Sequence, residues 1–124
     1  MSAPAYPRAD RSEWYGQANY AEAGGVMVMM PPERFLASVR PLVMDDLSRE
    51  NVDDLTAHIL SGGVLDPLVI FDDGKEDGRH RANAAIGLGI AEVPVLLFGA
   101  QIGRFAELER VPEERGEVDD EPGP

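Results

Sequence analysis

The sequence predicts one small α/β domain, with a mixed sheet of about four strands and three or four helices. Apolar, β-branched runs alternate with segments of helical periodicity along the middle of the chain. The length of 124 residues also favours a single domain that is able to bury a core. The two ends lack such patterns, so we divide the chain into a flexible N-terminal arm (1–24), the domain (25–110) and a disordered acidic tail (111–124).

The arm is rich in proline, glycine and small polar residues, and it holds no helical or strand period for long. Its aromatic residues are Trp14, Tyr15 and Tyr20. Terminal segments are usually loosely held, which favours a mobile arm whose aromatics dock on the domain or stay exposed. A partner-binding or base-stacking arm is the functional alternative.

The domain begins with a predicted strand at residues 26–30, a continuous apolar run that Pro31 and Pro32 close. Pro32 is suited to the first turn of a helix, and Glu33 is an acid near the positive end of the helix dipole. Helical spacing of apolar residues follows, and Pro41 ends this segment.

A second helix is predicted at residues 48–60, with Ser48 as its N-cap and a glycine pair, 62–63, after its end. Val52, Leu55 and Ile59 form its apolar stripe. His58 lies off that stripe, which favours a solvated histidine over a ligand.

The second half of the domain reads as a strand at 68–71, an acidic turn, and a short returning strand or loop at 76–77. Residues 79–88 predict a helix whose alanines allow close packing on a sheet. Residues 93–98 predict the last strand, where the proline suits an edge or the start of the strand. A short helix is predicted at 102–108.

The composition narrows the classes of function. The net charge is -12 and the pI is about 4.4, which argues against direct binding to DNA or to an anionic membrane through the general field. The chain contains no cysteine and two histidines, which excludes thiolate chemistry and makes a histidine-rich metal site improbable. No apolar run reaches transmembrane length, and no signal peptide is recognisable, so we expect a cytoplasmic protein.

The string Gly78-Arg79-His80-Arg81 concentrates nitrogen-rich side chains at the predicted start of a helix. A helix N-terminus offers free amide groups and a partial positive charge, and guanidinium groups pair with phosphate oxygens. A phosphate-bearing ligand is therefore one interpretation. The other is that Arg79 and Arg81 only neutralise nearby carboxylates. The acids concerned are Asp72, Asp73, Glu76 and Asp77, and residue spacing leaves both interpretations open.

Glu76 and Asp77 lie directly before this string, where they would repel a bare phosphate. They would suit a Mg²⁺ ion bridging to it, or one of them would act as a base toward a hydroxyl. The chain contains neither a GxxxxGK[ST] loop nor a GxGxxG fingerprint, so the common nucleotide-binding folds are not supported.

The order of these motifs resembles the ParB/sulfiredoxin superfamily, which includes the N-terminal domains of ParB partition proteins, sulfiredoxins and free-serine kinases. The resemblance covers roughly residues 26–98 and implies a partly barrel-like sheet. The matching segments are a glycine turn and PLVI strand at 62–70, DGRHR at 77–81, Ala84-Ala85, and LGI with VPV at 88–95.

The resemblance implies a nucleotide site, with ATP or CTP as the ligand and Mg²⁺ as a cofactor held by Asp77. It implies phosphate or nucleotide contacts from Gly78, Arg79, His80 and Arg81, with Asp66 and Pro67 before the flanking strand. Asp77, Glu76 and Glu33 are the candidate catalytic residues.

The leading functional prediction is therefore nucleotide binding, with Mg²⁺-dependent phosphate hydrolysis or transfer by an NTPase or a kinase-like phosphotransferase. One alternative is a non-catalytic ParB-like interaction module, with a protein partner, in a DNA-associated assembly of phage or plasmid type. A ParB-like DNA nuclease is a weaker alternative because of the acidic charge. Sulfiredoxin chemistry is excluded because Arg79 stands where those enzymes carry cysteine. A separate departure concerns the ParB partition proteins, because no helix-turn-helix segment follows Phe98 in this sequence.

Overall fold

A computed structural model describes residues 4–8, 24–40 and 44–111. Within these ranges the chain forms four strands and four helices, which confirms the predicted mixed α/β class. None of these helices combines the length and the apolar character that crossing a membrane requires. In chain order the elements are β1 (Val26–Met30), α1 (Pro32–Ser38), α2 (Asp46–Leu60), β2 (Leu68–Ile70), β3 (Glu76–Asp77), α3 (Arg79–Gly87), β4 (Val93–Leu97) and α4 (Ala100–Arg104).

The sheet has the strand order β1-β4-β2-β3. β4 is antiparallel to β1 and parallel to β2, and β3 returns antiparallel to β2. Over the described residues the sheet is open, with β1 and β3 at its edges, so the barrel-like closure that the resemblance implies does not occur there. Pro94 lies at the start of the central strand β4, which is one of the two positions predicted for it.

The core lies on both faces of the sheet, which explains why the apolar strands read as continuous runs. On one face Leu68 and Ile70 pack in a cluster with Ala82 and Ala85 of α3 and with Phe35 of α1. The two alanines are fully buried and allow α3 to approach the sheet closely. On the other face a smaller cluster forms, made of Met27, Val69 and Leu96.

The start of α2 differs from its prediction. Asp45, and not Ser48, is the N-cap residue, because the Asp45 Oδ1 atom accepts a hydrogen bond from the Ser48 amide at 2.8 Å. Ser48 therefore lies inside the first turn, where its side chain is buried against the rest of the domain. The last helix, α4, also begins earlier and is shorter than the predicted 102–108 segment.

The described part of the N-terminal arm lies against the domain. The Tyr6 side chain is buried, and its hydroxyl donates a hydrogen bond to the Asp66 carbonyl at 2.5 Å. The Leu65 amide donates to the Pro7 carbonyl at 2.8 Å, and Arg8 forms an isolated parallel bridge with Leu65. The aromatic residues Trp14, Tyr15 and Tyr20, Pro41 and the tail at 112–124 lie outside the described residues.

Candidate functional site

The turn between β3 and α3 is built around one glycine. Gly78 has φ 128°, a left-handed conformation that L side chains rarely adopt. A Cβ atom at this position would lie 2.6 Å from Leu68 Cγ on β2. Glycine therefore lets the start of α3 pack directly against the sheet, and as the N-cap residue it has no side chain to cap the helix. The amides of its first turn are left to other acceptors.

A cavity of about 330 Å³ opens at this end of α3. One wall comes from α2, which packs beside α3, and the other comes from the turn itself. Two carboxylates, an imidazole and a guanidinium therefore share one concave surface. The lining residues are Asn51, Asp54, Leu55, Asp77, Gly78, His80 and Arg81.

His80 contacts α2 through one ring nitrogen. Its Nε2 atom lies 3.3 Å from the Ser48 hydroxyl oxygen. Nδ1 has no hydrogen-bond partner in the part of the chain that the structure describes. His80 thus has one nitrogen engaged within the domain and one free for a ligand.

Arg81 is held mainly by carbonyl groups. Its Nη2 atom donates to the Pro67 carbonyl at 3.1 Å and to the Asp77 carbonyl at 3.4 Å, and lies 3.7 Å from Asp77 Oδ2. Its Nε is buried and has no hydrogen-bond partner among the described residues. The guanidinium therefore has a fixed orientation and retains one unsatisfied donor.

Tyr6 connects the N-terminal segment to this arginine. Burial raises the pKa of the Tyr6 hydroxyl well above its usual range, and the hydrogen-bonded, positively charged Arg81 offsets part of that rise. The phenol therefore stays protonated at neutral pH and donates to the Asp66 carbonyl. Asp66 and Pro67 do not line the cavity; in these contacts their backbone carbonyl groups accept from Tyr6 and Arg81.

Arg79 and Glu76 form a separate pair. Arg79 Nε lies 2.9 Å from Glu76 Oε2, and Arg79 Nη1 donates to the Arg40 carbonyl at 3.2 Å. The Glu76 side chain is only 6% exposed and shares the core face of the sheet with its partner Ile70. Neither Arg79 nor Glu76 lines the cavity. Arg79 therefore neutralises the Glu76 carboxylate, which agrees with the interpretation that the arginines of this string pair with nearby acids.

The other acids of that interpretation have different partners. Asp72 Oδ1 accepts a hydrogen bond from the Ala100 amide at 2.7 Å, at the start of α4. Asp73 Oδ1 accepts from the Lys75 amide at 3.0 Å within its own turn. These two carboxylates therefore organise backbone, and no arginine contact is described for them.

Glu33 lies apart from the cavity. It occupies the first turn of α1, where it is exposed, and it is not a lining residue. A catalytic role for Glu33 rests on the resemblance alone and stays a prediction.

Asp54 and Asn51 are cavity residues that the sequence reasoning missed. Together with Leu55 they follow the helical spacing i, i+3, i+4 on α2, so they share one face of that helix. The available signal was the polar flank of the predicted apolar stripe. These two residues line a cavity only because α3 packs beside α2, and the residue spacing within α2 does not reveal that packing.

The acids near the cavity do not form a complete metal site. In the described ranges, no group of three or more His, Asp or Glu side chains is placed to hold a metal ion. Asp54 and Asp77 nevertheless both line the cavity. Mg²⁺ is commonly bound by one or two carboxylates together with substrate phosphates, and this donor set fits that mode.

The cavity brings together four of the sequence-predicted site residues: Asp77, Gly78, His80 and Arg81. A scan against protein-family models finds no match to this chain, and a search of the curated proteins finds none that is significantly similar to it. The chemistry of the cavity therefore carries the functional argument.

Proposed function

We propose that the chain binds a nucleoside triphosphate, ATP or CTP, through its phosphates in the cavity between α2 and the start of α3. The observation that carries this proposal is the position of His80 and Arg81 in a 330 Å³ cavity at an uncapped helix N-terminus. The volume is near the lower limit of ligand pockets, which suits a phosphate chain better than a fully enclosed nucleoside.

Three kinds of donor support phosphate binding. The first-turn amides of α3 and its dipole favour an anion at this point. Arg81 lines the cavity, and its guanidinium charge there favours a phosphate oxygen. His80 Nδ1, when protonated, adds a charge-assisted donor.

The two carboxylates of the cavity support a role for Mg²⁺. Asp54 and Asp77 would otherwise repel the phosphate oxygens, so they would hold the ion. Bound Mg²⁺ would supply charge neutralisation between phosphate and carboxylate. Asp54 is exposed and the Asp77 side chain is 60% exposed, so neither carboxylate would need a large rearrangement to take this position.

Asp77 is the residue that would accept a proton during hydrolysis or transfer of the terminal phosphate. Its side chain lines the cavity, whereas Glu76 is paired with Arg79 and Glu33 lies elsewhere. A carboxylate that orients or deprotonates the attacking hydroxyl is a recurring part of phosphoryl transfer. The resemblance of the DGRHR turn to the ParB/sulfiredoxin superfamily supports the same class of ligand.

The second candidate is a non-catalytic interaction module in a DNA-associated assembly. It is favoured by the internal partners of both turn arginines, Glu76 for Arg79 and the Pro67 carbonyl for Arg81. Under this candidate the turn is a rigid element that presents His80 to an acidic group of a partner.

Isothermal titration calorimetry with ATP, CTP and GTP, each with and without Mg²⁺, separates the two candidates. We expect a Mg²⁺-nucleotide to bind, and we expect His80→Gln to weaken it about tenfold or more through the loss of a charge-assisted hydrogen bond. Asp54→Asn should reduce the Mg²⁺ dependence of binding. Asp53→Asn and His58→Gln are matched controls on α2, because neither residue lines the cavity.

Absence of binding for all three nucleotides at millimolar concentration would overturn the proposal and leave the interaction module. Turnover is tested separately by phosphate release. Asp77→Asn should lose turnover while the nucleotide still binds with a reduced Mg²⁺ dependence, whereas Asp73→Asn, a nearby exposed acid, should change neither. Normal turnover by Asp77→Asn would show that another residue accepts the proton.

A further inference from the structure

Ser48 contacts the cavity histidine from the neighbouring helix. Its side chain is buried in the first turn of α2, and its hydroxyl oxygen lies 3.3 Å from His80 Nε2. Asp45 lies on the other side of Ser48 and accepts its backbone amide at 2.8 Å. Asp45, Ser48 and His80 therefore form a connected series that ends at the cavity.

We propose that Ser48, oriented by Asp45, is a positioning residue for His80: it holds the Nε2–H tautomer and the ring orientation, and so directs Nδ1 to the ligand. This inference rests on the proposed phosphate site. It assigns a role in ligand binding to a serine and an aspartate that do not line the cavity.

The proton arrangement follows from the inventory of donors and acceptors. A serine hydroxyl has one proton to donate and two lone pairs, whereas an ionised carboxylate only accepts. The Ser48 amide donates to Asp45 at 2.8 Å, and interaction with Ser48 holds the pKa of Asp45 below its usual range, with a smaller contribution from the nearby His80. An ionised Asp45 can only accept, so a Ser48 hydroxyl turned toward it donates a hydrogen bond to the carboxylate, and the Ser48 oxygen accepts a hydrogen bond from His80 Nε2–H.

Fixing Nε2–H decides what Nδ1 offers to the cavity. In the neutral ring Nδ1 is an acceptor, which suits a ligand hydroxyl, and in the protonated ring it is a donor, which suits a phosphate oxygen. The partner of one imidazole nitrogen commonly sets the role of the other in this way. Without the Ser48 contact the ring would be free to rotate or change tautomer. Part of the binding free energy would then be used to order it, and the affinity would fall.

The helix cap and the positioning role can be separated by mutation. The capping bond uses the Ser48 backbone amide, so Ser48→Ala removes the hydroxyl and retains the cap. Asp45→Asn keeps a good N-cap residue and removes the charged acceptor. Ser48→Thr retains a hydroxyl and is the conservative rescue variant.

The first measurement uses the ligand-free chain and ¹H–¹⁵N spectroscopy of the histidine rings. We expect a His80 Nε2–H proton that is protected from water exchange in the wild type and in Ser48→Thr, and lost to exchange in Ser48→Ala. His58, whose Nε2 contacts the Val64 carbonyl, is the internal control and should be unchanged in all variants. An identical His80 signal in Ser48→Ala and wild type, or a wild-type ring protonated on Nδ1 alone, would overturn the inference.

The second measurement is calorimetry with the Mg²⁺-nucleotide. Ser48→Ala should weaken binding about three- to tenfold, the range for one lost neutral hydrogen bond, and Ser48→Thr should restore it. The nucleotide affinity of Asp45→Asn should lie between those of Ser48→Ala and Ser48→Thr. Equal affinity of Ser48→Ala and wild type contradicts the positioning role. If the wild type binds no nucleotide, the proposed function fails, while the ring spectra still decide whether Ser48 and Asp45 hold His80.

Discussion

Strands β4 and β3 belong to one sheet but differ in almost every property. β4 is central, pairs with strands on both sides, and buries all five of its residues. β3 is an edge strand of two acidic residues, of which Asp77 is exposed. The buried centre of the sheet thus carries the packing of the fold, and its edge strand contributes Asp77 to the candidate site.

β2 lies between these strands and takes part in both regions. Its Val69 pairs with Leu96 of β4 on one side and with Asp77 of β3 on the other. Its first residue, Leu68, is fully buried and also contacts the space where a side chain at Gly78 would lie. The turn therefore packs directly against the sheet on one side, while α2 forms the other wall of the cavity.

The largest effect is expected for a cavity made in the central strand. Leu96 is fully buried, so Leu96→Ala should lower the free energy of unfolding by about 2–5 kcal/mol. Urea denaturation followed by circular dichroism measures it. Leu60→Ala is the matched control, because Leu60 is 71% exposed and should change stability by less than about 0.5 kcal/mol. Equal losses in the two variants would contradict the central position of β4.

The next effect tests the turn that joins the edge strand to α3. Gly78→Ala places a Cβ 2.6 Å from Leu68 Cγ at a φ of +128°, so we expect a loss of about 1–3 kcal/mol and a weaker ligand site. Gly87→Ala is the matched control at the other end of α3, where nothing lies within 4 Å of the new atom. That variant should be neutral or up to about 1 kcal/mol more stable. Thermal unfolding and calorimetry measure both.

If Gly78→Ala is as stable as wild type and still binds, the turn is not the rigid element that this comparison requires. A loss of binding without a loss of stability would instead show that the added methyl group reaches the ligand. The two outcomes can be told apart because the unfolding measurement detects the clash with Leu68, whereas calorimetry detects a change in the cavity.

The apolar half of the fold was predictable from the sequence for a simple reason. The apolar runs at 26–30, 68–71 and 93–98 are long enough to identify strands by themselves, and each is confirmed to within one residue. The helix at 79–88 is equally close to the observed α3. By contrast, the start of α2 depends on which polar side chain accepts a hydrogen bond from a first-turn amide. Asp45, and not the predicted Ser48, has that role.

The candidate site was predictable only within one segment. The string at 77–81 identified Asp77, Gly78, His80 and Arg81, because they are adjacent in sequence. It could not show that Arg79 pairs with Glu76, since alternate residues of a turn leave in different directions. The contributions of α2 depend on tertiary packing between two helices, which no local pattern encodes.

The smallest of these effects concerns Tyr6, which ties the N-terminal segment to the edge of the sheet that holds the site. Tyr6→Phe removes the hydroxyl that donates to the Asp66 carbonyl and contacts Arg81, so we expect a loss of about 0.5–1.5 kcal/mol at neutral pH. Burial raises the pKa of Tyr6, so the folded state favours the protonated phenol. The corresponding stability is fully present below the ordinary tyrosine pKa of about 10 and is lost progressively above it.

The difference between wild type and Tyr6→Phe should therefore shrink between neutral pH and about pH 11, because only the wild type has this phenol to ionise. Urea denaturation at both pH values measures it. A constant difference would mean that Tyr6 ionises as easily in the folded chain as in the unfolded one, and that the N-terminal segment is not held at the sheet edge. If the stability difference shrinks and Tyr6→Phe also binds the ligand more weakly, Tyr6 acts together with Arg81 at the candidate site. It then belongs with the edge of the sheet and not with the core around β4.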